Sequence, residues 1–303
     1  MQELSKKILE EYQVRKTRKQ KTEFIEFLRK ELKEHEVTIE EGGFCKNRNI
    51  VVGNFENSKY ILGAHYDTAP VIPFPNFLTP KNPLAYLIYI LLIAGGFLVI
   101  ELVLQFIILK MTDSFTWMLI GDFALLIFIL GWVFAGKENK HTVNDNTSGV
   151  ITLIEVLHDE QIKDKVCCVF FDNEETGLFG SSFFVKKHKK ALKDKLLLNF
   201  DCVSDGDTIM MIMSKSARKQ EDALKEAFLS NEQKEFLFTK SSTTLYPSDQ
   251  MNFKHYVGVA AFKRNKMVGY YIDRIHTSKD VIFEEKNIEM IVKGIRNFVG
   301  REY

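Results

Sequence analysis

Six side chains able to bind a metal or move a proton stand at the ends of strand-like runs in this sequence: His65, Asp145, the adjacent pair Glu174 and Glu175, Asp201 and His276. Imidazoles and carboxylates without a thiolate form a donor set that suits zinc and tolerates manganese or cobalt. A carboxylate has two oxygens, so one side chain can ligate two cations at once. Asp145, set between two asparagines in His141–Gly149 (HTVNDNTSG), is the candidate for that bridging role. His65 and Asp201 would then hold one ion and Glu175 and His276 the other. Two ions about 3.5–4 Å apart bind a hydrolytic water and polarise a scissile carbonyl together. Glu174 stands beside a ligand and is not needed as one. That makes it the natural general base, taking a proton from the water and giving it to the leaving amine. Asp67, two residues after His65 on the same strand face, can orient an imidazole.

Each of these features also has an ordinary structural reading. Asn, Asp, Thr and Ser ahead of the apolar run Val150–Leu157 are helix-start chemistry. A His-x-Asp at a strand end is often structural, and adjacent glutamates are usually a solvated face. Their joint occurrence, in this order and at strand ends, is what points to a site.

The elements that must position these groups follow from hydrophobic periodicity. Residues 2–35 read as helix, with a basic cluster (Arg15, Lys16, Arg18, Lys19, Lys21) read as a solvated face or, alternatively, a contact for anionic lipid. Short strands are expected at 37–39 and 49–55 around a Gly42–Gly43 turn, and a stronger one at 59–65 delivers His65 and Asp67. Later strands are expected at 166–171, 196–200, 207–213 and 257–262. Helices are expected from about Phe179, at 217–229 and at 284–299. Strands alternating with helices mean an α/β sandwich, and in open α/β sheets ligands bind beyond the C-terminal strand ends.

One segment breaks this pattern. Residues 70–83 hold five of the six prolines and read as a stiff extended linker. Leu84–Leu109 then runs for 26 residues with Glu101 and Gln105 as its strongly polar members. After the polar turn 110–114, Phe115–Ala135 runs for 21 residues with Asp122 its only charge. Each is long enough to cross a hydrocarbon core of about 30 Å, and neither shows the polar face of a soluble helix. The segment 84–135 is therefore read as a transmembrane hairpin inserted into one discontinuous catalytic domain, 1–83 with 136–303. Lys81, Lys137 and Lys140 flank its domain ends, against Lys110 offset by Asp113 at the far turn. The positive-inside rule places the catalytic domain on the cytoplasmic face of the cell membrane. The polar N-terminus, unlike a signal peptide, agrees. So do four cysteines whose spacing matches neither a zinc finger nor a secreted disulfide framework. A net charge of +1 gives no global basic field for nucleic acid. Glu101 and Asp122 fall at about the same depth, either binding the two helices together or forming an oligomer interface or a polar path for a peptide or ion.

Six motifs, in order, resemble the two-zinc aminopeptidase and glutamate carboxypeptidase family, metallopeptidase family twenty-eight. They are Gly63–Thr68 (GAHYDT), Asn144–Val150 (NDNTSGV), Asn173–Ser181 (NEETGLFGS), Asn199–Asp201 (NFD), Ser248–Phe253 (SDQMNF) and Ile275–Asp280 (IHTSKD). The resemblance implies a three-layer α/β/α sandwich around a mixed, mostly parallel eight-stranded sheet. It implies two zinc ions on His65, Asp145, Glu175, Asp201 and His276, with Glu174 the catalytic base. Three departures stand out. The hairpin replaces a short loop. Ile275 stands where a tyrosine often precedes the last histidine, with Tyr270 or Tyr271 as substitutes. Gln250 stands where many members carry histidine. The activity expected is that of a membrane-anchored aminopeptidase acting on short peptides. The alternatives are a carboxypeptidase using Lys254, Arg264 or Arg274, glutaminyl-cyclase chemistry, and a scaffold without catalysis.

Overall fold

The computed structural model describes residues 1–72 and 74–300, so Pro73 of the expected linker and residues 301–303 of the expected catalytic domain lie outside the described residues. The N-terminal region is two helices rather than one, α1 (Glu3–Glu11) and α2 (Arg18–Glu31). The break comes from a capping box. Thr17 Oγ1 accepts from the Gln20 amide while the Gln20 side chain accepts from the Thr17 amide, which starts a new helix at Arg18.

Strands β1 (Val37–Gly42) and β2 (Asn47–Val52) form an antiparallel hairpin, followed by β3 (Tyr60–His65). Then come the two long apolar helices, α3 (Pro83–Thr112) and α4 (Phe115–Ala135). The chain returns through a kinked segment, Val143–Ser148, to α5 (Gly149–Leu157), β4 (Val166–Phe171) and α6 (Phe179–Lys187). The rest is β5 (Leu196–Phe200), β6 (Thr208–Met213), α7 (Glu221–Ala227), β7 (Glu235–Lys240), β8 (Tyr256–Asn265), β9 (Gly269–Tyr271) and α8 (Glu285–Gly300).

Eight strands lie in the order β1-β2-β4-β3-β5-β8-β6-β7, and β9 pairs with β8 at one side. The central pairs β4·β3, β3·β5 and β5·β8 are parallel, as is β6·β7, and the other pairs are antiparallel. Parallel strands covered on both faces should be apolar throughout. In β4 the alternation is clear: Cys168 and Phe170 face one core cluster with α1, α2, α5, α7 and α8, while Cys167, Val169 and Phe171 face another with α6. That is the three-layer α/β/α sandwich with a mixed sheet. Strands β7 and β9 and the extension of β8 to Asn265 were not legible in the sequence. β7 (EFLFTK) is a half-exposed edge with charges at both ends, and β9 is only three residues long.

Two members of the basic cluster are not a solvated face. Arg15 is fully buried, and its guanidinium donates to the carbonyls of Tyr12 and Tyr66 and to Thr147 Oγ1 at 3.2 Å. Lys21 is buried against the far end of β4, 2.6 Å from Asp172 Oδ1 and 2.7 Å from Asn173 Oδ1. Removing one partner of a buried ion pair strands the other, at a cost of about 3–5 kcal/mol. Lys21→Met is therefore expected to destabilise the α/β sandwich by that amount in a denaturant titration. An unchanged midpoint would show that water reaches Asp172.

No residue of α3 or α4 is buried, so the pair does not pack into the core around the sheet. At about 1.5 Å per residue α3 is roughly 45 Å long and outreaches α4 at its N-terminal end. That extra length stays with the α/β sandwich. Asn82 caps α3 by accepting from the Ala85 amide, Tyr89 donates to the Pro75 carbonyl at 2.7 Å, and Phe77 packs between Tyr89 and Tyr271. Midway along the hairpin, Gln105 donates to Asp122, and Glu101 and Asp122 line one hollow between the helices.

Candidate metal centre

All six side chains singled out in the sequence converge at the C-terminal edge of the parallel strands. His65 ends β3, Asp201 follows β5, and Glu174 and Glu175 follow β4. Asp145 comes from the kinked segment ahead of α5, and His276 from the loop after β9. His65 Nε2 lies 3.3 Å from Asp145 Oδ1 and 3.5 Å from Asp201 Oδ1. His276 Nε2 lies 3.0 Å from Asp145 Oδ2 and 3.1 Å from Glu175 Oε2. The two oxygens of Asp145 thus face two different clusters, His65–Asp145–Asp201 and Asp145–Glu175–His276. Glu174 lies in a third group, with His65 and Glu175.

Local structure explains how each group is held. Asp145 and Asn146 leave helical geometry, with φ/ψ of −113°/96° and −127°/46°. The flanking asparagines fix this kink. Asn146 donates to the Phe200 carbonyl at 2.9 Å and accepts from Gly149 and Cys202 amides. Asn144 Oδ1 accepts from the Ser204 and Asp205 amides at 2.8 and 3.1 Å. Both therefore tie Asp145 to the strand that delivers Asp201. A side chain at 149 would place its Cβ 2.3 Å from the Phe200 carbonyl oxygen, so the close approach requires glycine. The helix expected over Val150–Leu157 begins at Gly149, and these side-chain bonds hold the backbone ahead of it away from helical geometry.

Asp67 acts through both its backbone and its carboxylate. Its carbonyl lies 3.0 Å from His65 Nδ1, which places that proton on Nδ1 and turns Nε2 toward the carboxylates. Its two carboxylate oxygens accept the Glu174 and Glu175 amides at 3.0 and 3.2 Å. The acid pair is thus positioned by the strand that carries His65. Asp280, given no role by sequence reasoning, does the same for Asp145: its oxygens accept the Asn144 and Asp145 amides at 2.8 and 3.0 Å. Burial and the nearby Asp145 push its carboxyl up to about 7. Asp249 was also missed. It is fully buried, neither of its oxygens has a partner within hydrogen-bond geometry among the described residues, and burial pushes its carboxyl up to about 7 against the pull of His65 and the nearby Ser181 hydroxyl. Both residues lie inside motifs quoted for the resemblance. Arg15 had no such signal, since nothing local in its sequence distinguishes a buried guanidinium from a solvated one. Burial pulls Arg15 down to about 10 against the pull of Asp67 and Asp145.

The electrostatics are those of an uncompensated acidic cluster. Burial penalises charge on Asp145, but hydrogen bonds from His276 and His65 outweigh it and hold the carboxyl far below the carboxylate range. Burial likewise opposes charge on both imidazoles, and the surrounding carboxylates overcome it, raising both well above the usual histidine range. Burial, with Glu175, Asp201 and Asp249 nearby, raises Glu174 well above the glutamate range against the opposing field of His65. Glu175 Oε1 is buried and, among the described residues, has no hydrogen-bond partner. A buried carboxylate oxygen without a donor is satisfied by a cation or a proton, and the donor atoms of these clusters lie close enough together to hold a metal ion.

Of the residues tied to the departures, Ile275 is buried in an apolar cluster with Tyr246 and Ile272. Tyr270 lies under the Arg264 guanidinium, and Tyr271 between Phe77 and Lys263. Gln250 is buried and bonded to Asn199 and to the Tyr246 carbonyl, so it supports the floor of the site.

The family model described as Peptidase family M28 matches residues 131–299, more than half of the sequence. The chain belongs to peptidase family M28. Its fold is similar to that of a glutaminyl cyclase from Porphyromonas gingivalis (TM-score 0.60, 13% identity, 99% of this chain and 96% of that one). It is also similar to the LapA aminopeptidase of Legionella pneumophila (TM-score 0.56, 13% identity, 98% of this chain and 67% of that one). A glutaminyl cyclase from Fimbriiglobus ruber is a third solved structure of this kind (TM-score 0.54, 14% identity, 99% and 94% covered). No curated protein matches the sequence. The M28 match begins at Gly131, inside α4, so His65 and Asp67 precede the matched region and join it through β3.

Proposed function

We propose that this M28 chain is a membrane-anchored two-zinc exopeptidase, an aminopeptidase that removes N-terminal residues from short peptides. The observation that carries this reading is the division of Asp145, one oxygen toward His65 and Asp201 and the other toward His276 and Glu175. Zinc in those two groups would polarise the scissile carbonyl and acidify a water. The chain's own residues do the rest. Glu174 takes the proton from the attacking water and delivers it to the leaving amine. Asp67 holds the Glu174 amide, so the base stays fixed while its side chain changes protonation. The substrate amine binds beside the carboxylates of the site. The LapA protein is named an aminopeptidase, which agrees with this reading.

A carboxypeptidase needs a free cation for the substrate carboxylate. Of the three candidates, Lys254 precedes β8, at the opposite end of the sheet from the site, and Arg264 lies on Tyr270. Arg274 is near His276, but both oxygens of Asp205 bind its Nη1 at 3.0 Å. The cyclase reading rests on the fold shared with the two glutaminyl cyclases, while the paired clusters favour hydrolysis. None of the six site residues is missing, which argues against a scaffold without catalysis.

The hairpin would cross the bilayer twice as a domain of its own, with the catalytic domain on the cytoplasmic side. Lys81, Lys137 and Lys140 at its domain ends support that orientation. The deciding experiment assays zinc-loaded full-length protein on an aminoacyl-amide, an N-blocked dipeptide and an N-terminal glutaminyl peptide. Release of amine from the first is expected. Cleavage of the second alone would make it a carboxypeptidase, and pyroglutamyl product from the third without hydrolysis would make it a cyclase.

A further inference from the structure

Two hollows meet at Phe74, where the linker passes from the metal centre to the hairpin. One, of about 520 Å³, lies between the linker and the His276 loop, with Ile72 on one wall and Arg274, Ser278 and Lys279 on the other. The second, of about 370 Å³, is an apolar slot in the hairpin between Ile93, Gly96, Phe97 and Trp132. Phe74 lines both and meets Phe97 edge-on, with ring centroids 6.2 Å apart.

The charges of the first hollow are unequal. Arg274 is bound by Asp205, and Asp273 by Lys263. Lys279 is exposed and, among the described residues, has no ion-pair partner. Exposed Lys137 lies close by, since its carbonyl accepts the Val71 amide at 2.8 Å. The slot is open as well as apolar: a Cβ built on Gly96 meets nothing within 4 Å. A cationic, hydroxyl-bearing mouth that continues into an apolar groove matches an amphiphile with an anionic head.

We infer that the two hollows form one site for an anionic phospholipid of the leaflet next to the catalytic domain. The phosphate lies against Lys279 and Ser278, and an acyl chain lies over Gly96 toward Trp132. This rests on the proposal that the hairpin spans a bilayer. The site adjoins the metal centre directly, because the Ile72 amide donates to the His276 carbonyl at 2.8 Å.

The chain has two tryptophans, so Trp117→Phe leaves Trp132 as the sole reporter. Full-length protein of this background is placed in phosphatidylcholine nanodiscs doped with brominated phosphatidylglycerol or, at equal mole fraction, brominated phosphatidylcholine. The anionic lipid is expected to quench Trp132 roughly fivefold more effectively at low mole fraction, the enrichment one lysine near an anionic headgroup supplies. Lys279→Glu should abolish that preference. Gly96→Phe should lower quenching by either lipid by filling the slot. Equal quenching by the two lipids, or a preference that survives Lys279→Glu, means a non-selective lipid annulus and overturns the inference. Extraction by alkaline carbonate, measured on the same protein in membranes, separates the two failures. A chain that is extracted has no spanning hairpin, whereas an inserted chain without lipid preference sinks the site alone.

Discussion

Glu174→Gln is expected to lower kcat by about 10²–10⁴-fold, the usual contribution of a positioned proton carrier, while both metal ions stay bound. The substitution keeps the shape of the side chain and removes its ability to take a proton. Backbone placement does not change, because the Glu174 amide is held by Asp67 Oδ1 at 3.0 Å whatever the side chain carries. The raised proton affinity of Glu174, caused by burial and by Glu175, Asp201 and Asp249, fits a group that must accept a proton from water and release it to an amine. Glu174 also shares a possible donor group with His65 and Glu175, so metal content is the informative second readout. A variant that loses an ion along with its activity would make Glu174 a ligand. A variant with near-normal kcat would remove it from the chemistry. KM should change little, since the lost interaction belongs to the transition state.

What the sequence revealed and what it hid divide along a physical line. That the six site candidates would meet was legible because metal chemistry restricts residue type, and strand ends restrict where such residues can come together. The α/β alternation was legible because β3, β4 and β5 are apolar on both faces, which only a covered parallel sheet allows. The supports of the site were much less so. Arg15 and Lys21 look like surface charge beside Lys16, Arg18 and Lys19, and only the turn forced by the Thr17 capping box carries them inward. Asp280 and Asp249 sit in recognisable motifs, but the grip of Asp280 on backbone amides and the burial of Asp249 leave no periodicity to read. The same holds for Asp67: its place on the strand was apparent, its grip on the Glu174 and Glu175 amides was not. The hairpin announced itself by composition, yet the docking of Phe74 and Phe77 depends on a linker whose prolines predict only stiffness.

Asp145→Ala should remove both ions, whereas His65→Ala should remove one. The argument is geometric. Alanine at 145 deletes Oδ1, which faces His65 and Asp201, and Oδ2, which faces His276 and Glu175, so each cluster loses a donor. His65 touches only the first cluster in this way and leaves Asp145, Glu175 and His276 together. Loss of a direct ligand should weaken binding by more than the roughly 10–100-fold that follows loss of an outer partner. At micromolar protein, metal analysis of Asp145→Ala should therefore fall from two ions per chain toward none, and activity with it. The fold should survive, because Asn144, Asn146 and Asp280 hold the kinked backbone through bonds that do not involve the Asp145 side chain. Circular dichroism should confirm that. His65→Ala and the parent protein differ most clearly in acid. Ligands must shed protons to bind metal, so loading weakens as pH falls. The single ion of His65→Ala should leave at a higher pH than the pair in the parent protein, since it has lost the preorganisation His65 gives Asp145. Two ions retained by Asp145→Ala, or none by His65→Ala, would mean that this carboxylate does not bridge.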